Sequence, residues 1–99
     1  AQGREVSLIG QLYGAIEYWE QALAIYREIQ DRRDEVKTLM RIGSAHYQSA
    51  EYMRVMKTGD EEYKLSEYNE ALTAYQQAAD VFQEIQDQSG KAVALTVLG

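Results

Sequence analysis

Apolar residues recur at intervals of three and four positions in two long stretches of the chain, and no stretch alternates long enough to predict a β-strand. This interval places an apolar stripe along one face of an α-helix. The first stripe consists of Ala15, Ile16, Trp19, Ala22, Leu23, Tyr26 and Ile29. The second consists of Ala71, Leu72, Tyr75, Ala78, Ala79, Phe82 and Ile85. The pattern therefore predicts an all-α protein.

Short polar breaks divide the chain into four predicted helices. Asp31, Asp60 and Asp87 lie in these breaks, where an aspartate can cap the helix that follows. The absence of proline agrees with long, uninterrupted helices, because proline removes a backbone donor and clashes with the preceding turn. The predicted helices run from about Arg4 to Gln30, from Asp34 to Lys57, from Glu61 to Gln86 and from Ser89 to Leu98.

The two stripes are copies of one another. The sequence Glu-Ile-Gln-Asp occupies positions 28–31 and, 56 residues later, positions 84–87. At the same offset small residues match small residues and aromatic residues match aromatic ones, such as Trp19 with Tyr75 and Tyr26 with Phe82. The period indicates a repeat architecture within a single domain, 1–99. The predicted units are repeat one at about 4–33, repeat two at about 34–88 with an insertion at about 50–66, and a partial third repeat at 89–99.

These copies resemble the tetratricopeptide repeat, and more narrowly its variant of roughly 40 residues whose inter-repeat turn begins Gly-Asp-Arg. The corresponding turn here is Gln-Asp-Arg-Arg-Asp-Glu at 30–35. The resemblance implies antiparallel helix pairs stacked into a superhelix, with a groove that holds a segment of another protein. It is carried by Ile9, Gly10, Tyr13, Ala15, Trp19, Ala22 and Tyr26, and then by Ile42, Gly43, Tyr47, Tyr68, Ala71, Tyr75, Ala78 and Phe82.

The spacing of the repeats departs from that family. The paired Ile-Gly or Leu-Gly positions end at Gly10, Gly43 and Gly99, so one interval is 33 residues and the next 56. Around Gly14 the turn inside the first repeat is missing. Either two helices are fused, or about seven disordered residues are absent from this sequence. We favour the fused helix, which could not fold back on itself and would need a covering helix from another chain, as in a domain-swapped dimer.

Charge and composition exclude several classes of function. The formal net charge is −6, with 16 acidic and 10 basic residues, which opposes binding to nucleic acid or to an anionic membrane. Without cysteine, disulfides and thiolate metal sites are impossible. No apolar run is long enough to span a bilayer, and residues 1–15 do not have the pattern of a signal peptide. We therefore expect a soluble, cytoplasmic protein with no nucleic-acid or membrane partner.

Candidate catalytic groups are sparse. His46 is the only histidine, and no glycine-rich phosphate loop or nucleophile elbow occurs. The acidic pairs, such as Glu17 with Glu20, or Glu61 with Glu62, are better explained as helix-start and surface residues than as acid–base pairs. We expect neither an enzyme nor a cofactor or metal site.

The resemblance assigns the groove to the first helix of each repeat. Lys37 and Arg41 lie on one helical face and resemble one half of a clamp that some family members use for a peptide's terminal carboxylate. The asparagine partners of that clamp are missing, Ser44 stands where one would be expected, and an ordinary solvated surface remains the alternative for these charges. The candidate partner-binding residues are Arg4, Ser7, Gln11, Lys37, Met40, Arg41, Ser44, Tyr47 and Gln48.

The insertion carries a flexible apolar patch that could contact a second copy of the chain. Its candidate oligomer contacts are Tyr52, Met53, Met56, Tyr63 and Leu65. The predicted function is a non-catalytic adaptor or scaffold that binds a peptide or helix of a partner protein. The alternative is a helical self-association module without a peptide ligand. Two repeats are near the minimum for an independent solenoid, so under either hypothesis we expect a homo-oligomer, most simply a dimer.

Overall fold

The computed structural model describes residues 8–98, with side chains through position 97. Over this range the chain forms four α-helices and no strand, which confirms the all-α prediction. The predicted start at Arg4 and the groove candidates Arg4 and Ser7 lie outside the described residues. No helix within the described range is both long and apolar enough to cross a lipid bilayer. The helices are α1 (Leu8–Glu28), α2 (Arg32–Met56), α3 (Glu61–Glu84) and α4 (Gln88–Leu98).

Each helix packs against the next one along the chain: α1 on α2, α2 on α3, and α3 on α4. Helix α3 is central to this arrangement, because its alanines let the helices on both sides approach closely. The main core cluster consists of Leu23, Val36, Leu39, Ile42, Ala74, Ala78, Ala79, Val81 and Ala94, with Trp19, Met40 and Phe82 packed against it.

The turns that follow α1 and α3 have the same backbone structure. Gln30 and Gln86 each adopt a left-handed conformation with φ of 60°, and the aspartate after each glutamine donates its N–H back into the helix that is ending. These are the bonds of a Schellman motif: Asp31 N to Tyr26 O at 2.9 Å and Asp87 N to Phe82 O at 2.8 Å. The 56-residue sequence repeat is therefore also a repeat of local structure.

The same aspartates start the helices that follow. Asp31 Oδ1 accepts a hydrogen bond from Asp34 N at 3.2 Å, and Asp87 Oδ1 accepts one from Gly90 N at 2.8 Å. Asp60 caps α3 in the same way, through Tyr63 N at 2.7 Å. All three caps predicted from the polar breaks are confirmed.

Helix α1 continues without interruption through Gly14, as the fused-helix alternative requires. Its apolar face is covered by α2 of the same chain, and Ile16 on that face is buried. Coverage is possible because α2, at 25 residues, extends alongside the N-terminal half of α1. The expectation that the fused helix needs a covering helix from another chain was wrong, because the residues missing from repeat one are matched by the added length of repeat two. A domain swap stays an untested prediction.

Candidate functional site

A groove runs between α2 and α4, over the C-terminal end of α3. Its volume is about 520 Å³. The two helices stand apart here because each packs mainly on α3 rather than on the other. The apolar lining residues are Val36, Met40, Phe82, Ile85 and Val93, and the others are Arg33, Lys37, Arg41, Asp87 and Gly90.

Three cations form one wall of this groove. Arg33, Lys37 and Arg41 are spaced four residues apart on α2, so their side chains share a helical face. All three are exposed, and none forms an ion pair with a described residue. The carboxylate of Asp87 also lines the groove, but it accepts the capping hydrogen bond of Gly90. The groove therefore presents positive charge beside an apolar surface.

The opposite wall is apolar. At the 56-residue offset Val93 corresponds to Lys37, and Val97 corresponds to Arg41. Both valines are about half exposed on α4, and Val93 faces the groove. At the same repeat position, α2 therefore carries Lys37 on one side of the groove and α4 carries Val93 on the other.

A smaller cavity of about 220 Å³ is lined by Tyr47, Tyr75 and Val97. Tyr47 packs edge-on against Tyr68, with ring centroids 5.8 Å apart. Burial raises the pKa of Tyr75, and a hydrogen bond with Ser44 partly opposes that rise. The phenol therefore stays neutral at physiological pH and can act as a hydrogen-bond donor beside the cavity.

The structure brings most of the predicted groove residues together on α2. Lys37, Met40 and Arg41 line the larger groove and Tyr47 lines the smaller cavity. Ser44 lies beside Tyr75 and accepts a hydrogen bond from Gln48 Nε2 at 3.0 Å. Gln11 is exposed on α1 and lines neither cavity.

The predicted oligomer contacts do not form one exposed surface. Met53 is buried in the chain, with its sulfur close to Gly59, so it is not available to a partner. Tyr52 is half-buried, and the Tyr63 hydroxyl is hydrogen-bonded to that of Tyr13. Met56, Leu65 and the ring of Tyr63 remain exposed.

A polar contact that the sequence did not predict lies in the interface of α2 and α3. His46 and Glu67 are both buried, and His46 Nδ1 lies 3.3 Å from Glu67 Oε2. His46 Nε2 has no hydrogen-bond partner among the described atoms, and Glu70 Oε2 is 4.0 Å away. The sequence contained no indication of this pairing, because nothing in local spacing connects positions 46 and 67.

A third depression, of about 490 Å³, lies where α1 approaches the start of α3. The hydroxyls of Tyr13 and Tyr63 meet there and connect the two helices. Burial, followed by the hydrogen bond with Tyr63, holds the pKa of Tyr13 well above its usual value. Carboxylates surround the pair: Asp60, Glu62 and Glu67. This depression would repel an anionic ligand, unlike the groove between α2 and α4.

Part of the groove itself was not predicted from the sequence. Arg33 was assigned to a polar break, although its four-residue spacing from Lys37 could have identified it. Val93 could have been found from the offset, but only the fold shows that it faces α2. Comparison with known protein families, curated proteins and solved structures found no match to this chain.

Proposed function

We propose that the chain is a non-catalytic adaptor of the tetratricopeptide type, which holds a peptide or helix of another protein in the groove between α2 and α4. One observation carries this proposal: Arg33, Lys37 and Arg41 stand without ionic partners beside an apolar surface. The chain as a whole has a net charge of −6, yet these three cations are gathered on one wall of the groove. They favour a partner segment that carries carboxylates next to apolar side chains.

The spacing of the cations suggests how such a segment would lie. Residues four apart on α2 are separated by about 6 Å along the helix axis. A partner helix with acidic residues four apart has the same spacing, and an extended segment with acidic residues two apart comes close to it, at about 6.6 Å. Apolar residues of the partner would contact Val36, Phe82 and Val93, since burial of apolar surface provides most of the affinity in such complexes.

The proposal is tested with peptides selected on the purified chain from a random display library. The selected peptides are synthesised with free and with amidated C-termini, and binding is measured by fluorescence anisotropy. We expect them to combine acidic and apolar residues. The variant Lys37→Ala/Arg41→Ala should bind at least about tenfold more weakly, a loss of about 1.4 kcal/mol.

Lys57→Gln is the matched control. It also removes one exposed positive charge, and glutamine already occupies the same left-handed position at Gln30 and Gln86. The test variant removes two charges and the control removes one, so a control that loses half as much binding free energy reflects overall charge and overturns the groove assignment. Peptides unaffected by the Lys37 and Arg41 substitutions would overturn it as well. If amidation alone abolishes binding, the groove recognises a terminal carboxylate rather than acidic side chains.

A further inference from the structure

The 56-residue repeat makes the hairpin of α1 and α2 equivalent to that of α3 and α4, with the matching turns described above. Helix α3 corresponds to α1, and α4 corresponds to the first part of α2. Within the chain, α2 packs on α3. By contrast, no described helix precedes α1, and none follows α4. At each end of the stack, one helix face is therefore uncovered in the described chain, although the equivalent face of the other hairpin is buried.

The outer face of α1 is the first of these. On α3 the corresponding residues face α2: Glu67 contacts His46, and Ala74 and Val81 on the same face are each 5% exposed. Their counterparts on α1 are Tyr18, which is 76% exposed, and Ile25, which is 58% exposed. Ile29, the counterpart of Ile85, is also exposed. Isolated exposed apolar residues are common, but three on one helical face form an apolar patch.

The outer face of α4 is the second. On α2, Val36 and Leu39 belong to the core that α2 forms with α3, and Leu39 is only 1% exposed. Their counterparts on α4 are Ala92, which is exposed, and Leu95, which is 47% exposed. The difference arises because α4 has no helix on that side in the described chain.

We propose that these two faces bind each other between copies of the chain, with α4 of one copy packed on α1 of the next as α2 packs on α3. Leu95 then takes the place of Leu39, and Ile25 of the second copy takes the place of Val81. The surfaces differ, so the contact is heterologous and leaves one free face at each end. The assembly is therefore open and adds copies in a row, unlike a symmetric dimer.

A polar contact at the internal interface also has its counterpart. Arg32 Nη2 of α2 lies 2.6 Å from Glu84 Oε2 of α3. At the 56-residue offset these positions are Gln88 on α4 and Glu28 on α1. The amide of Gln88 can donate a hydrogen bond to the carboxylate of Glu28 in the second copy. Because Gln88 is neutral, it does not repel Glu28. Helix α4 has only 11 residues, which makes the contact small, and association should depend on protein concentration.

Sedimentation velocity of the 99-residue chain over a range of concentrations tests the proposal. We expect the wild type to be 11.3 kDa when dilute and to grow past the dimer as concentration rises. Ile25→Glu removes the α1 face and Leu95→Glu removes the α4 face, so each variant alone should stay monomeric. An equimolar mixture of the two should form a species of two chains and stop there, because only one intact pair of faces remains.

Circular dichroism of each variant establishes that the helices are intact before the result is interpreted. Leu65→Glu is the control: it places the same charge on an exposed leucine of α3 outside both faces, and it should associate as the wild type does. A wild-type chain that stays monomeric at every concentration overturns the proposal and leaves a helix of another protein as the occupant of both faces. Association that persists in both single variants, or a mixture that stays monomeric, overturns it too.

Discussion

Gly90 packs directly against the ring of Phe82, so closely that a β-carbon at position 90 would lie within 2.8 Å of Phe82 Cζ and closer still to two other ring carbons. The equivalent position in the other hairpin is Asp34. The two turns thus have the same backbone conformation. They differ at this position, where the first hairpin has an aspartate and the second leaves room only for glycine. Phe82 also lines the groove between α2 and α4, so this contact connects the turn to the candidate site.

Gly90→Ala should destabilise the chain, because the ring of Phe82 must move away from its packing position. We expect a loss of about 1–3 kcal/mol, the usual cost of overpacking. Gly14→Ala is the matched control, since a β-carbon there meets nothing within 4 Å. It should stabilise α1 by about 0.5–1 kcal/mol, because alanine is the better helix former. Urea unfolding followed by circular dichroism measures both, and equal midpoints for the two variants would contradict the packing described here.

The buried pair of His46 and Glu67 is expected to cost stability when either member is removed alone. Glu67→Leu leaves the histidine without its partner, and His46→Leu leaves the carboxylate without its own. Each single change should lose about 1–3 kcal/mol. The double variant should recover most of that loss, because two apolar side chains can fill the interface without an unpaired polar group. A double-mutant cycle in urea checks this, and additive losses would show that the two residues do not interact.

The contact between Glu51 and Tyr68 should make stability depend on pH. Arg54 first, and the Tyr68 hydroxyl second, lower the pKa of Glu51 below its ordinary value of 4.5. A carboxyl with a lowered folded-state pKa stabilises the chain above about pH 4.5, and this contribution disappears as the pH falls through the folded-state pKa.

Tyr68→Phe removes the hydrogen bond that the hydroxyl donates to Glu51 Oε2 at 2.6 Å. The variant should have a lower urea midpoint than the wild type at neutral pH, and the difference should shrink once Glu51 is protonated in the folded chain. Tyr18→Phe serves as the control, since that exposed tyrosine has no hydrogen bond in the structure, and it should leave the midpoint unchanged at both pH values. A difference that persists undiminished in acid would exclude Glu51 as its source.

Glu35 should contribute more to stability than an exposed carboxylate in a similar ion pair. It is buried and lies 3.1 Å from Arg27 Nε and 2.8 Å from Arg32 Nη1, which joins α1 to the start of α2. Glu35→Gln should cost about 1.5–3 kcal/mol, the range of hydrogen bonds to charged groups. Glu61, which pairs with Lys64, has an exposed carboxylate, so Glu61→Gln should change the midpoint little. Thermal unfolding of the two variants under identical conditions makes the comparison, and equal losses would contradict the role of burial.

Much of the fold followed from local patterns. The apolar spacing and the polar breaks predicted all four helices, within a few residues of every end except the start of the first helix, which lies outside the described residues. The three aspartate caps were identified from the polar breaks. These features depend on neighbouring residues alone. The sequence also placed Lys37, Met40 and Arg41 on one face of α2, since positions three and four apart meet on any α-helix.

Contacts between distant positions could not be predicted in the same way. The pairing of His46 with Glu67, and the apolar wall that Val93 forms opposite Lys37, depend on how the helices are placed in space. The covering of α1 by α2 was also missed. Repeat one is short and repeat two is long, and the sequence alone did not show that the added length of the second covers the fused helix of the first.

The sequence by itself thus determined two equivalent helix pairs and the 56-residue offset that relates them, because helix periodicity and capping act between residues close in the chain. Only the tertiary structure decided which copy of each equivalent face is buried. Leu39 is covered and Leu95 is not, although both occupy the same position of the repeat. Among the described helices, α2 has a neighbour on each side, whereas α4 packs mainly on α3. Burial depends on the neighbours that a helix acquires in space, and identical local sequence patterns do not encode it.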